Sequence, residues 1–118
     1  MSDVDMVNHP PHYKDASGIE CIEVTRYMSF CGGNCFKYLY RAGKKGATVE
    51  DLRKAKWYAG EAKKQGEKVC WSAIMRIKDI ASHRNKHIGH AMDSITREDW
   101  QWVIFNINYE IARLESEQ

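Results

Sequence analysis

Chemistry concentrates in one stretch of this chain, Gly33 to Lys45, G-N-C-F-K-Y-L-Y-R-A-G-K-K, which joins a glycine start to aromatic residues and four cations. Wound as an α-helix, Asn34, Lys37 or Tyr38, Arg41 and Lys45 fall along one side. A guanidinium grips phosphate as a bidentate fork and lysines act as point charges, so Lys37, Arg41, Lys44 and Lys45 suit an anion. Gly32 and Gly33 let the backbone turn tightly into the helix, which would leave N–H groups facing a ligand, and Gly43 is a natural stop. Tyr38, Trp57 or Tyr58 would stack on a base, Asn34 would bond a base or sugar edge, and Lys54 adds a further cation. Together these describe a nucleotide or phosphate site. The plain alternative is the solvated basic face of an amphipathic helix.

Other residues able to do chemistry are scattered. His9, His12 and Tyr13 lie in H-P-P-H-Y, where two prolines favour extended backbone. Residues 1–16 therefore read as an arm laid over the domain, bringing His12 towards the site as a proton carrier; the alternative is that His12 and Tyr13 only anchor the arm. Glu20 and Glu23, three apart, read as partners for Arg41 or the lysines. Cys21, Cys31, Cys35 and Cys70 read as reduced, structural thiols. A zinc site built from Cys31 and Cys35 or from His83, His87 and His90 lacks the ligand spacing that secures one, so no metal is assigned.

The elements that must position these groups read as helices. The 118 residues suit one domain, residues 17–118, with 43% hydrophobic and 29% charged residues. Ile19, Ile22, Tyr27 and Met28 predict a first helix within Gly18–Ser29, and Phe30–Gly33 a break before the basic helix. Thr48 followed by Glu50 and Asp51 resembles a capping box and predicts a third helix to Gln65, with Leu52, Ala55, Ala59 and Ala62 as its apolar stripe. Gly60 interrupts it, either to permit a close crossing or because the helix ends sooner. Val69–Ala81 predicts a fourth helix anchored by Trp71. The segment from Ser82 to Ser94, with H-R-N-K-H-I-G-H, reads as a basic surface loop or frayed helix end. Thr96-Arg-Glu-Asp99 repeats the Thr48 start and opens a last helix, whose Trp100, Val103, Ile104, Ile107, Ile111 and Leu114 make one face while Trp102, Phe105 and Tyr109 make another. Two apolar faces point to the centre of a bundle or a homo-oligomer interface through the C-terminal helix. Strand patterns are nearly absent. The expectation is an all-α compact bundle of about five helices with an extended N-terminal arm.

A net charge of +2 makes nucleic acid an unlikely partner. There is no run of about 18 apolar residues and no signal-peptide pattern, which points to the cytoplasm and away from a membrane.

Four motifs in order, N-H-P-P-H-Y (Asn8–Tyr13), G-I-E-C-I-E-V (Gly18–Val24), Gly33–Lys45 and D-L-R-K-A-K-W-Y (Asp51–Tyr58), resemble the bacteriophage nucleotide kinase-like family, small phage domains mostly of unknown function. The resemblance covers about residues 7–65 and leaves 66–118 without a counterpart. It implies a nucleotide ligand, a host-cytoplasm setting and nucleoside or deoxynucleoside monophosphate kinase activity. That activity would need ATP and Mg, with His12 and Arg41 as candidate catalytic residues. The chain lacks the G-x-x-x-x-G-K-[ST] phosphate loop, since Gly43-Lys44-Lys45 has neither the upstream glycine nor the following Ser or Thr. Non-catalytic sequestering of a host nucleotide or nucleotide-derived signal, and a host-protein interaction module, are the alternatives.

Overall fold

A computed structural model describes residues 15–44 and 46–117. It is all-helical among those residues, with six helices: α1 (Ile22–Thr25), α2 (Phe30–Arg41), α3 (Thr48–Gln65), α4 (Trp71–Ala81), α5 (Lys86–Thr96) and α6 (Trp100–Ser116). Of the expected N-terminal arm, residues 1–14, with His9, His12 and Tyr13, lie outside the described residues, as does Lys45.

The helices pack in a ring. α2 lies on α3, α3 on α6, α6 on α5 and α5 on α4, while the short α1 touches both α4 and α2 and closes the circuit. Apolar positions at helical spacing explain the closure: Phe36, Leu39 and Tyr40 of α2, Leu52, Ala55, Ala59 and Ala62 of α3, Ile77 and Ile80 of α4, and Val103 and Ile107 of α6 share one core. The alanines of α3 are fully buried, and their small side chains allow its neighbours a close approach.

Several boundaries differ from the sequence expectation. α1 has only four residues, and Glu23 turns back to accept the Glu20 N–H at 2.7 Å rather than pairing with Arg41. α3 keeps its expected span, yet its N-cap is Ala47, Thr48 is already helical and no side chain caps it. Gly60 neither ends α3 nor serves a crossing, since a methyl group there would meet nothing within 4 Å. Trp71 is exposed and not an anchor. The presumed 82–94 loop contains α5, with Asn85 accepting the Ile88 N–H at 3.0 Å and Ile88, Ala91, Met92 and Ile95 buried at helical spacing. Gly89 allows α5 to pass α4, since a Cβ there would stand 2.8 Å from the Ala81 carbonyl oxygen. Thr96 closes α5 rather than opening α6, whose N-cap is Asp99, accepting the Trp102 N–H at 3.1 Å. In α6 one apolar face is covered, whereas Trp102, Phe105 and Tyr109 stand exposed on the other.

A candidate anion-binding face on α2 and α3

Helix α2 carries most of the predicted site, and both of its ends are held by side chains distant in sequence. At the N-terminus, Glu67 accepts the Cys31 N–H at 3.1 Å through Oε2 and the Gly32 N–H at 2.7 Å through Oε1. The carboxylate thus supplies the negative charge that a helix N-terminus attracts. This corrects the expectation of a phosphate at the glycine-rich start. The two glycines lie buried in the first turn of α2, and the Cys31 and Gly32 N–H groups are already used. At the other end, Arg84 donates to the carbonyls of Tyr40 (3.1 Å), Leu39 (3.3 Å) and Ala42 (2.8 Å). A cation of the segment read as a basic surface loop or frayed helix end therefore contributes an internal C-terminal cap.

Between these clamps, the exposed side of α2 faces α3 with a compact group of cations and rings. Tyr38 stacks on Tyr58, their centroids 6.0 Å apart and planes inclined by 13°. Lys37 Nζ lies 4.5 Å, Lys54 Nζ 5.4 Å and Arg41 Cζ 5.9 Å from the Tyr38 centroid. All three lie within the range at which a ring's negative face attracts a cation. Lys54 pairs with Glu50 at 3.0 Å, a contact that raises its pKa through the hydrogen bond and the charge of Glu50. Lys37 and Arg41 have no carboxylate partner among the described residues, and the Arg41 Nε is buried without a hydrogen-bond partner. Three cations beside one ring, two of them without a carboxylate partner among the described residues, form a local positive field in a protein of small net charge.

Around this group, Phe30 meets Tyr58 edge-on at 6.0 Å and is 73% exposed. Asn34 donates to the Phe30 carbonyl at 2.8 Å, and with Phe30 and Lys37 it lines a shallow groove of about 290 Å³. The structure thus brings together Asn34, Lys37, Tyr38, Arg41, Lys54 and Tyr58. It separates two others. Lys44 lies 4.8 Å from the Tyr40 ring, away from Tyr38, and burial lowers its pKa. Trp57 touches Tyr58 edge-on but lines a different groove with Arg53, Lys56 and Ile104.

The thiols and histidines take structural places. Cys21, Cys31 and Cys35 are buried and Cys70 is exposed. His87 packs on Tyr109 with centroids 4.3 Å apart, and His83 Nδ1 lies 2.9 Å from the Asp79 carbonyl oxygen. Among the described residues no group of three or more His, Cys, Asp or Glu is placed to hold a metal ion. No helix there is long and apolar enough to cross a membrane.

Residues that sequence reasoning passed over include Glu67 and Phe30. Glu67 follows the glycine that ends α3, and its role depends on a fold that brings it to a helix start 36 residues earlier in the chain. Phe30 belonged to a presumed break, although a run without proline from Phe30 to Arg41 is compatible with one continuous helix.

Comparison with known proteins gives the sequence a phage affinity. Residues 7–60 match the family described as a protein of unknown function, DUF3310. The chain is also similar to the "Gene 1.7 protein" of Enterobacteria phage T3, at 42% identity over 62 aligned positions. That alignment spans 44% of this chain and 38% of the relative's length. No solved structure matches. The family match covers α2 and most of α3, and neither description names an activity.

Proposed function

We propose that the α2–α3 face binds a nucleoside phosphate, with Lys37, Arg41 and Lys54 taking the phosphate and the exposed Phe30 ring, beside the half-buried Tyr58, taking the base. One observation carries this reading: three cations converge on the Tyr38 ring, and two of them lack a carboxylate partner among the described residues. A phosphate would supply the missing charge, and Arg41 offers it a planar fork.

Retention without turnover is the form of this function that the geometry favours. Transfer of a phosphoryl group between two nucleotides requires two phosphate positions and close charge neutralisation. Of the other cation-lined grooves, the one between α4 and α5 has Lys78 paired with Asp93 at 2.9 Å and Arg84 capping α2, and the one beside Trp57 has Arg53 paired with Glu115 at 2.8 Å and Lys64 with Glu61 at 3.1 Å. Monophosphate kinase activity, with ATP and Mg, stands as the second reading. It is supported by the sequence resemblance over the same face, and its other candidate catalytic residue, His12, lies outside the described residues.

The test is to incubate the protein with mixed nucleotides, denature it and separate the products. Nucleotide recovered unchanged from the protein supports binding without turnover, and new diphosphates support the kinase. Absence of both bound and altered nucleotide overturns the site. Arg41→Ala should weaken binding roughly tenfold, the equivalent of about 1.4 kcal/mol, with the helical circular dichroism retained. Loss of that signal would make Arg41 structural.

A further inference from the structure

The small net charge averages over an uneven chain. Residues 30–65, which form α2, α3 and their connection, hold nine of the 18 lysines and arginines but only three of the 16 acids. Those three acids are taken up locally or hidden: Glu50 pairs with Lys54 at 3.0 Å, Glu61 with Lys64 at 3.1 Å, and Asp51 is buried. Arg53 reaches Glu115 of α6 at 2.8 Å. With all of these pairs set aside, Lys37, Arg41, Lys56 and Lys63 have no carboxylate partner among the described residues; Lys63 bonds only to the neutral Gln101. Such a concentration of one sign on one face is the footprint of a polyanion, whatever the net charge of the whole.

Exposed rings interrupt this positive surface. Phe30, 73% exposed, meets Tyr58 edge-on at 6.0 Å, and Tyr58 meets Trp57, 62% exposed, edge-on at 5.1 Å. The run of rings leads from the α2–α3 groove onto the outward face of α3. There Trp57, Lys56, Gly60 and Ile104 line a second groove of about 440 Å³. Gly60 lies one turn beyond Trp57, and a Cβ on it would meet nothing within 4 Å, so bare backbone with open space in front of it adjoins the indole. Arg53 and Lys64 at this groove are already paired, which leaves it little pull on a phosphate of its own. A neutral ring meets no such obstacle.

We propose that this face binds single-stranded nucleic acid, with one nucleotide in the α2–α3 groove and the next base stacked on Trp57 over Gly60, the phosphate between them passing Lys56. Rings interleaved with cations hold a strand by stacking and charge without reading its sequence. The ring-to-ring steps of 6.0 and 5.1 Å exceed the about 3.4 Å per nucleotide of a duplex strand, which suits bases that have come apart. A duplex keeps its bases stacked inward and offers no ring face to Trp57. The first position rests on the nucleotide reading, and the second goes beyond it.

Fluorescence anisotropy of a labelled thymidylate octamer, with unlabelled competitors, tests the proposal. The octamer should bind at least about tenfold more tightly than dTMP, the gain from one further stacked base, and dTMP should displace it. Its affinity should fall with salt, log K against log salt sloping by about −0.7 for each phosphate held, and Lys56→Gln should lower the slope by one such step. Trp57→Ala should remove most of the octamer's advantage and leave dTMP affinity and the helical circular dichroism unchanged, since the ring stands mostly in solvent. Phe105→Ala, which removes an exposed ring from α6, should change neither affinity. A uridylate octamer of higher affinity would assign the strand as RNA. Binding of dTMP with no gain for the octamer, or a folded Trp57→Ala variant with that gain intact, would overturn the strand and leave the single nucleotide standing. Octamer binding that depends on Trp57 without any dTMP binding would uphold the strand and overturn the isolated-nucleotide reading. A duplex bound as tightly as the octamer would overturn stacking on Trp57.

Discussion

Gly32 donates its backbone N–H to Glu67 Oε1 at 2.7 Å, and the same carboxylate takes the neighbouring Cys31 N–H through its other oxygen. A residue just past the end of α3 thus caps the start of α2. Glu67→Ala removes two charge-assisted bonds and the charge at the helix N-terminus, which should cost about 2 kcal/mol. Glu67→Gln keeps an acceptor and should recover about half. Urea midpoints of the two variants check this order; equal midpoints for Glu67→Ala and the parent would show that the cap contributes nothing.

Two helical glycines should respond with opposite signs to the same substitution. At Gly32 a Cβ would stand 3.0 Å from Trp100 Cη2 and 3.2 Å from Glu67 Oε1, so Gly32→Ala forces ring and cap apart. A loss of about 1–3 kcal/mol is expected from such overpacking. At Gly60 a Cβ would meet nothing within 4 Å in the interior of α3. Gly60→Ala should therefore stabilise by about 0.5–1 kcal/mol through helix propensity. Thermal unfolding of both variants decides it, and a destabilised Gly60→Ala would require a role for the glycine beyond the helix.

The contrast between these glycines shows what a single sequence makes legible. Local periodicity was enough for α3, whose Leu52, Ala55, Ala59 and Ala62 stripe predicts its face and span. It was enough for the all-α class and for setting Lys37 or Tyr38 on one side with Arg41, whereas Lys54 and Tyr58 join that group only through the packing of α3 on α2. Long-range capping was not legible. Glu67 and Arg84 read locally as a turn residue and a loop cation because their partners lie 35 and 42 residues away. α5 was masked by its charged first turn, although the Asn85 cap and the spacing of Ile88, Ala91, Met92 and Ile95 carry its signature. The repeated T-x-E-D start misled twice, since Ala47 and Asp99 are the caps.

Arg84 should matter more to stability than its place in a basic, glycine-containing segment suggests. It is largely withdrawn from solvent while its guanidinium serves the last carbonyls of α2, at 2.8 to 3.3 Å. Arg84→Ala would strand those carbonyls, at a cost of about 2–4 kcal/mol. Arg84→Lys keeps the charge but lacks the planar fork, and should restore less than half. Hydrogen exchange localises the effect: amides in the last turns of α2 should lose protection first. If they instead follow global unfolding unchanged, the cap is not what holds that end.

Alkaline pH should destabilise the fold through groups buried in their neutral forms. Burial raises the Cys21 thiol from 9.0 to about 12, although Lys37 and Arg41 pull it down. Complete burial raises the Cys35 thiol further still. Burial also raises the Tyr40 phenol, whose hydroxyl donates to the Ile19 carbonyl at 2.7 Å. In each case the folded-state pKa exceeds the unfolded one, so the folded chain holds protons that the unfolded chain releases. Stability is therefore fully present below about pH 9 and falls as pH rises from there through the folded values. Urea midpoints should be level from about pH 7 to 8.5 and decline steadily by about pH 10.5. Cys35→Ala should start lower at neutral pH, because it leaves a small cavity, yet lose less on the way up. An identical pH slope in that variant would assign the alkaline loss to Cys21 and Tyr40, and a flat profile in the parent would remove the thiols and phenol from the account altogether.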